Sequence, residues 1–215
     1  KITVLRDSEY KEFEIVRKAI KVYHVETKML EDKIGYISLA TFDEGCSEEF
    51  KNGYLDLKSQ GAQKIIIDLR NNTGGLVDEA LKILDLIIPK GNIELITVDS
   101  KGEKSYNYAK ENPIIDCDIV VLVNQYSASA SEITVGALKD IGKAKVVGTT
   151  TYGKGVIQSV FMLSDGSALK LTINEYYTPN ETKINKVGIT PDYEVELNSE
   201  TEEDEQLNKA IEILK

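Results

Sequence analysis

The chain has 215 residues, 41% of them hydrophobic and 29% charged, which is ordinary for a folded domain with a buried core. A formal net charge of −10, with no basic stripe, argues against nucleic acid and anionic membranes, since both require clustered Lys and Arg. The chain has one histidine, His24, and two isolated cysteines, Cys46 and Cys117. This set is too small for a zinc site or a disulfide framework, and we expect no cofactor.

Two strand-like segments open the chain. Residues 1–6 (KITVLR) and 11–20 (KEFEIVRKAI) have the pattern of strands, and the polar turn DSEY joins them. The chain starts on this segment without a methionine, and no apolar stretch approaches the roughly 20 residues of a membrane span. We therefore expect a processed piece of a longer protein, so an absent signal peptide says nothing about the parent.

A strand and a helix come next, and the pair then repeats. The pattern of residues 34–42 (IGYISLATF) predicts a strand, and apolar residues at helical spacing predict a helix with Ser47 as its N-cap and Gly61 as its stop. The short apolar segment 64–69 (KIIIDL) predicts a buried strand that ends in the turn RNNTGG. The following LVDEALKILDLIIP predicts a helix that stops at Pro89.

The alternation of strands and helices continues through the middle of the chain. Strands are predicted over 93–98 (IELITV), 118–124 (DIVVLVN) and 145–148 (KVVG), with a helix over SEITVGALKDIG between the last two. Apolar strands separated by helices indicate βαβ units and a mostly parallel sheet covered on both faces. The fold class is therefore α/β.

After residue 156 the period of the pattern changes to two. VIQSVFML (156–163) and SALKLTINEYYT (167–178), separated by the turn SDGS, predict a β-hairpin added to the α/β core. Residues 198–205 (NSETEEDE) form an acidic, solvated stretch. The chain then ends in EQLNKAIEILK, whose apolar residues have the spacing of an amphipathic helix.

The loop NQYSASASEI carries three serines on alternate positions between a strand and a helix. A loop at the carboxyl end of a parallel strand is a usual place for a site, and the helix N-terminus beyond it favours negative charge. Ser129 is thus a candidate nucleophile, with the next backbone N–H, of Ala130, as an oxyanion donor. Ser129 and Glu132 also have the spacing of a capping box, so from this loop alone a purely structural role stays open.

A serine nucleophile needs a base, and a lysine can supply it without histidine. Lys154 lies between two glycines in TTTYGKGVIQS, where the backbone can turn the side chain into a cleft. Desolvation in a cleft favours the neutral amine that a base requires. If the segment is extended, Gln158 lies on the same face and is placed to orient the amine. The alternative is a surface lysine in a glycine turn.

The turn RNNTGG offers the remaining part of an acyl-transfer site. Its two glycines precede a helix and leave backbone N–H groups free for a second oxyanion donor, although an ordinary strand-to-helix turn has the same pattern. The spacing does not match the GxGxxG of dinucleotide-binding folds or a Walker motif. His24 lies on a strand-like segment and is interpreted as structural.

Together these segments resemble one family in a single register, from about residue 34 to 195. IIIDLRNNTGG, VVLVNQYSASASEITVGALKD, VVGTTTYGKGVIQS, LSDGSALKLTINEYYTP and VGITPDYEV are similar to the carboxyl-terminal processing (tail-specific) proteases, which are serine peptidases with a Ser-Lys dyad. The resemblance implies Ser129 as nucleophile, Lys154 as general base and Gln158 as the residue that orients Lys154. It also implies the backbone N–H groups of Gly75 and Ala130 as oxyanion hole.

The resemblance carries further expectations for the whole chain. It implies a crotonase or Clp-protease-like core over residues 23–197, followed by the acidic stretch and helix of 198–215. Residues 1–22 resemble only the last hairpin and exit strand of the family's PDZ domain, so we expect the parent protein to carry the missing PDZ domain. Thr73 and Glu181 replace a usual proline and glycine, and we expect little effect on the chemistry.

The implied partner is a polypeptide substrate with a disordered, apolar carboxyl terminus. The resemblance allows a homo-oligomer and implies a location outside the cytoplasm, in the bacterial envelope. Two alternatives are a non-catalytic peptide-binding module on the same fold and a crotonase-like acyl-thioester enzyme. An acyl-thioester enzyme would need basic residues to bind CoA and a pair of carboxylates for acid/base chemistry. The negative net charge of the chain and the set of Ser129, Lys154 and Gln158 both argue against this alternative.

Overall fold

The computed structural model describes residues 1–18, 23–198 and 200–215. In chain order its elements are β1 (Ile2–Arg6), β2 (Glu9–Phe13), β3 (Val25–Met29), β4 (Ile34–Leu39), α1 (Cys46–Ser59), β5 (Lys64–Asp68), α2 (Val77–Asp85), β6 (Ile93–Asp99), β7 (Lys104–Tyr108), β8 (Asp118–Val123), α3 (Ala130–Asp140), β9 (Ala144–Gly148), β10 (Val156–Met162), β11 (Ala168–Tyr177), β12 (Tyr193–Glu194) and α4 (Glu205–Leu214). None of these helices is long and apolar enough to cross a membrane.

A six-stranded sheet in the order β12-β9-β8-β5-β4-β3 forms the centre of the molecule. All neighbouring pairs are parallel except β3 and β4, so the predicted mostly parallel sheet is confirmed. In β5, Ile65 and Ile67 pack into the core cluster that includes residues of α1, α2 and α3, whereas Ile66 packs against residues of α4. Both faces are therefore buried, which explains the continuous apolar run of β5.

A second sheet in the order β10-β11-β6-β7 is antiparallel throughout. It contains the predicted hairpin, β10 and β11, and places it beside the main core. The prediction that β6 continues the parallel βαβ series is wrong, and β7 was not predicted. β6 instead turns back into β7 through a polar turn in which the Asp99 carboxylate accepts the N–H groups of Lys101 and Glu103.

Several element boundaries differ from the predicted ones for local reasons. α1 begins one residue before Ser47, with Gly45 as N-cap in a left-handed conformation, while the Ser47 N–H donates to the buried Glu79 carboxylate over 2.9 Å. α2 ends at Asp85, well before Pro89. Ile87 and Ile88, just before Pro89, continue in a turn, with both N–H groups donating to the Leu84 carbonyl oxygen, and both side chains are fully buried.

The N-terminal hairpin, β1 with β2, forms a separate two-stranded sheet. Its second strand ends at Phe13, whereas the predicted strand covered residues 11–20. Residues 19–22, which include the end of that predicted strand, lie outside the described residues. Most side chains of this hairpin are exposed. The division of the chain at residues 22 and 23 stays a prediction.

Candidate active site

One open cleft brings together four of the five residues predicted from the sequence, Gly75, Ser129, Lys154 and Gln158. The fifth, Ala130, follows Ser129 and is fully buried as the first residue of α3. The rest of the lining is formed by Val77, Val156, Ile157, Lys170 and Tyr176. The main sheet supplies the serine and glycine loops, while the lysine segment and the hairpin of the second sheet close the other side.

Ser129 occupies a strained position at the start of α3. Its backbone has φ 56° and ψ −115°, a conformation that non-glycine residues rarely adopt. The preceding strand β8 is buried over five of its six residues, and this rigid support fixes the serine loop at the carboxyl end of the strand. Strain of this kind persists only where the surroundings impose it, and it is frequent at functional sites.

The two outer serines of the loop carry structural hydrogen bonds. Ser127 Oγ accepts the Asn124 N–H over 3.0 Å and donates to the Leu69 carbonyl oxygen over 2.8 Å. Ser131 Oγ donates to the Asn72 carbonyl oxygen over 2.9 Å. Both side chains are fully buried, so they hold the loop while Ser129 faces the cleft.

Glu132 is the connection between the serine loop and the lysine segment. Its buried carboxylate accepts the Ser129 N–H over 2.9 Å, which is the capping-box contact that the S-x-x-E spacing predicts. It also accepts three donors from the lysine segment, the Thr151 hydroxyl over 2.6 Å and the N–H groups of Gly153 and Lys154 over 2.7 and 2.8 Å. One carboxylate thus fixes the spacing of Ser129 and Lys154.

Tyr176 was not predicted as a site residue and lies at the base of the cleft. It is 1% exposed, its hydroxyl donates to the Lys154 carbonyl oxygen, and it also interacts with the Ser129 side chain. Burial raises the pKa of Tyr176 well above its usual value, so the hydroxyl remains a donor at any ordinary pH. The residue lies 22 positions from Lys154 in the sequence, and only the pairing of the second sheet brings it there.

The two glycines of the RNNTGG turn are sterically required. A Cβ atom at Gly74 would lie 2.6 Å from the Ala128 carbonyl oxygen, and one at Gly75 would lie 2.4 Å from the Phe42 carbonyl oxygen. Both residues also have positive φ, at 98° and 148°. The turn therefore packs against the serine loop closely enough for Gly75 to line the same cleft as Ser129.

Asn72 joins this turn to its surroundings and was also not predicted. Its fully buried side chain donates to the Leu39 carbonyl oxygen over 2.8 Å and accepts the Gly74 N–H over 2.9 Å. Its own carbonyl oxygen accepts the Ala128 N–H over 3.0 Å as well as the Ser131 hydroxyl. An amide that satisfies donors and acceptors at once fixes the turn against the serine loop.

The remaining candidates for chemistry lie outside this cleft. His24 is next to Glu49, with 3.4 Å between Nδ1 and the carboxylate, and does not line the cleft. Across the described ranges, no group of three or more His, Cys, Asp or Glu side chains is placed to hold a metal ion. The polar side chains that line the cleft are those of Ser129, Lys154, Gln158, Lys170 and Tyr176.

Comparison with known proteins identifies the same region of the chain. The model of Peptidase family S41 matches residues 33–195. A probable CtpA-like serine protease of Staphylococcus aureus is 42% identical over 199 residues, which are 91% of this chain and 40% of the relative. The corresponding protein of Staphylococcus epidermidis is 38% identical over 196 residues, again 40% of its length.

Solved structures show the same similarity in three dimensions. A photosystem II D1 C-terminal processing protease superposes with a TM-score of 0.76 at 30% sequence identity, covering 95% of this chain and 56% of that protein. A lipoprotein from Streptococcus agalactiae shares the fold, with a TM-score of 0.70 at 23% identity over 89% of this chain and 69% of that one. The chain thus spans about 40% of the length of the curated relatives it matches.

Proposed function

Because the chain belongs to peptidase family S41, we propose that it is the catalytic part of a serine endopeptidase that cleaves polypeptides near their carboxyl termini. The observation that carries this proposal is the cleft shared by Ser129, Lys154, Gln158 and Gly75. These groups supply a nucleophile, a base, a group to orient the base and an oxyanion donor. The similarity to a D1 C-terminal processing protease supports the choice of carboxyl-terminal substrates.

The acylation step assigns one role to each group. The neutral amine of Lys154 removes the proton of the Ser129 hydroxyl while Oγ forms a bond to the carbonyl carbon of the substrate amide. The N–H groups of Gly75 and Ala130 bind the resulting oxyanion, and the N-terminal end of α3 adds a favourable dipole. The Lys154 ammonium then returns its proton to the amide nitrogen, which leaves as an amine.

The deacylation step repeats the same proton transfers with water. Lys154, neutral again, takes a proton from a water molecule that attacks the acyl-enzyme carbonyl carbon. The second tetrahedral intermediate collapses, the Ser129 oxygen receives the proton from Lys154, and the carboxylic acid product leaves. Gln158 orients the amine through a hydrogen bond during both steps, since its position on β10 makes it part of the same cleft lining.

We extend the proposal to the parent protein. Its substrate is a polypeptide with a disordered, apolar carboxyl terminus, its location is extracytoplasmic, and a PDZ domain accompanies the catalytic part. The apolar residues Val77, Val156 and Ile157 in the cleft lining support an apolar segment beside the scissile bond.

The test compares single variants of the full-length protein on an unstructured peptide with an apolar tail. Ser129→Ala and Lys154→Ala are expected to lower kcat by roughly a thousandfold or more, with little change in KM. Ser59→Ala and Lys28→Ala, at exposed positions outside the cleft, serve as matched controls. Undiminished cleavage by either cleft variant overturns the assignment. A serine-reactive phosphonylating probe should label the parent but not Ser129→Ala, and an unlabelled parent would favour the non-catalytic binding module.

A further inference from the structure

A second lysine, Lys170 on β11, lines the cleft together with Lys154. β10 and β11 pair so that Lys170 lies opposite Val160, and Thr172 lies opposite Gln158. Side chains of directly paired residues share one face of the sheet, and so do residues two apart on a strand. Lys170 is therefore the diagonal neighbour of Gln158, on the face of the hairpin that continues outward from Ser129.

Lys170 adds a second positive charge to the cleft lining. Of the lining residues, two are lysines and none is an acid, in a chain with 36 acidic and 26 basic residues. Other lysines of the same sheet region are paired, Lys104 with Glu181 and Lys183 with Glu175. No ion pair found within the described ranges includes Lys170, whose side chain is exposed. The carboxylate of Glu132, between the serine loop and the lysine segment, is already engaged by four donors.

We propose that Lys170 binds a carboxylate of the substrate beside the scissile bond and is a specificity-determining residue. This inference rests on the proposed peptidase function of the cleft. The carboxylate is either the side chain of an acidic residue or the free carboxyl terminus of a short tail, and both present the same two oxygens to an ammonium group. The apolar lining accommodates the neighbouring substrate residues.

A separate cation for the carboxylate also protects the chemistry of the base. A substrate carboxylate bound to the Lys154 amine would occupy the group that must accept the serine proton. Lys170 lies on the hairpin rather than in the glycine turn of Lys154, so it holds the carboxylate on a different element from the base. The two lysines thus divide the work of substrate binding and proton transfer.

The experiment uses the full-length protein and blocked peptides of one sequence, in which a single Glu is moved through the positions flanking the scissile bond. Each peptide has a Gln partner, and a shortened peptide with a free carboxyl terminus has a carboxamide partner, so the two sources of carboxylate are separated. At one position the parent should prefer the carboxylate by about tenfold in kcat/KM, falling with added salt. The ratio should fall to about one in Lys170→Met and be retained in Lys170→Arg and in the control Lys28→Met.

Binding of the same peptides to the Ser129→Ala variant, measured by fluorescence anisotropy, separates the two proposals. If Ser129→Ala binds the carboxylate peptides more tightly and adding Lys170→Met removes this preference, the role of Lys170 is supported. This holds even if the parent cleaves no peptide, a result that would overturn only the peptidase assignment. Cleavage with no carboxylate preference, or with a preference that survives Lys170→Met, overturns this inference and leaves the peptidase assignment intact.

Discussion

The hydroxyl of Tyr176 contacts both residues of the proposed dyad, through the Lys154 carbonyl oxygen and the Ser129 side chain. Tyr176→Phe removes the bond to the Lys154 carbonyl oxygen and the interaction with the Ser129 side chain, and leaves the ring in place. Since an unsatisfied buried carbonyl costs about 1–3 kcal/mol, we expect the Lys154 segment to shift and kcat to fall roughly 10- to 100-fold. KM should change little, because the ring still fills the base of the cleft.

Kinetics of Tyr176→Phe together with its melting temperature test this role. Tyr177→Phe is the matched control, since its hydroxyl contacts Glu175 instead of the dyad. A kcat equal to that of the parent would contradict the positioning role of the hydroxyl, whereas a fall in stability alone would assign it to the fold.

Glu132 shows what a local sequence pattern can and cannot predict at the scale of a residue. The S-x-x-E spacing predicted its contact with the Ser129 backbone, because a capping box depends only on neighbours along the helix. Its contacts with Thr151, Gly153 and Lys154 span 19 to 22 residues of sequence and depend on how the chain folds back. Tyr176 and Asn72 were not predicted as site residues for the same reason, since their contacts also depend on how the chain folds back.

At the scale of elements, the buried strands of the main sheet were predictable and the sheet partner of β6 was not. Apolar strands followed by helices have few arrangements, so β4, β5, β8 and β9 lie in the expected parallel sheet, whose strand order was not predicted. β6 is equally apolar in its pattern but has an antiparallel partner, β7, whose polar sequence KSYNY gave no strong strand signal. Partner choice is decided by tertiary contacts, which a single strand sequence does not contain.

β6 also carries the clearest electrostatic cost in the fold. Glu94 is 2% exposed, and within the described residues its Oε1 has no hydrogen-bond partner. Burial, with a smaller contribution from Asp85, raises the pKa of Glu94 to about 8. A raised folded-state pKa means that stability is fully present below the unfolded value near 4.5 and is lost as pH rises toward 8.

Glu94→Gln should remove this pH dependence. The variant and the parent are expected to have similar free energies of unfolding near pH 4.5, whereas at pH 8 the variant should be more stable by about 2 kcal/mol. Urea denaturation between pH 4.5 and 8.5 measures the difference, with the exposed Glu26→Gln as control. Parallel stability curves for Glu94→Gln and the parent would show that Glu94 does not titrate in this range.

At the scale of the whole molecule, Arg70 joins the carboxyl-terminal helix to the end of β5 in the main sheet. Its guanidinium contacts Asp68 over 2.6 Å at the end of β5 and Asp204 over 2.8 Å at the N-cap of α4. Burial alone disfavours the charge, but hydrogen bonds to both carboxylates outweigh it and raise the pKa of Arg70 above its already high value. Arg70 also begins the RNNTGG turn, so α4 and this turn share one anchor.

Arg70→Met should therefore destabilise the molecule and loosen α4 first. The change leaves the buried Asp68 and the partly exposed Asp204 without their cation, and we expect a loss of about 3 kcal/mol in the free energy of unfolding. Hydrogen exchange should show weaker amide protection in α4 than in β5, because local opening begins where the anchor is lost. Lys209→Met, which removes the ion pair with Glu212 and the cation–π contact with the Tyr193 ring, should cost only about 1 kcal/mol, since both are surface contacts. If Arg70→Met costs no more than that control and α4 keeps its protection, the apolar contacts of α4 alone hold it, and the RNNTGG turn is independent of the carboxyl-terminal helix.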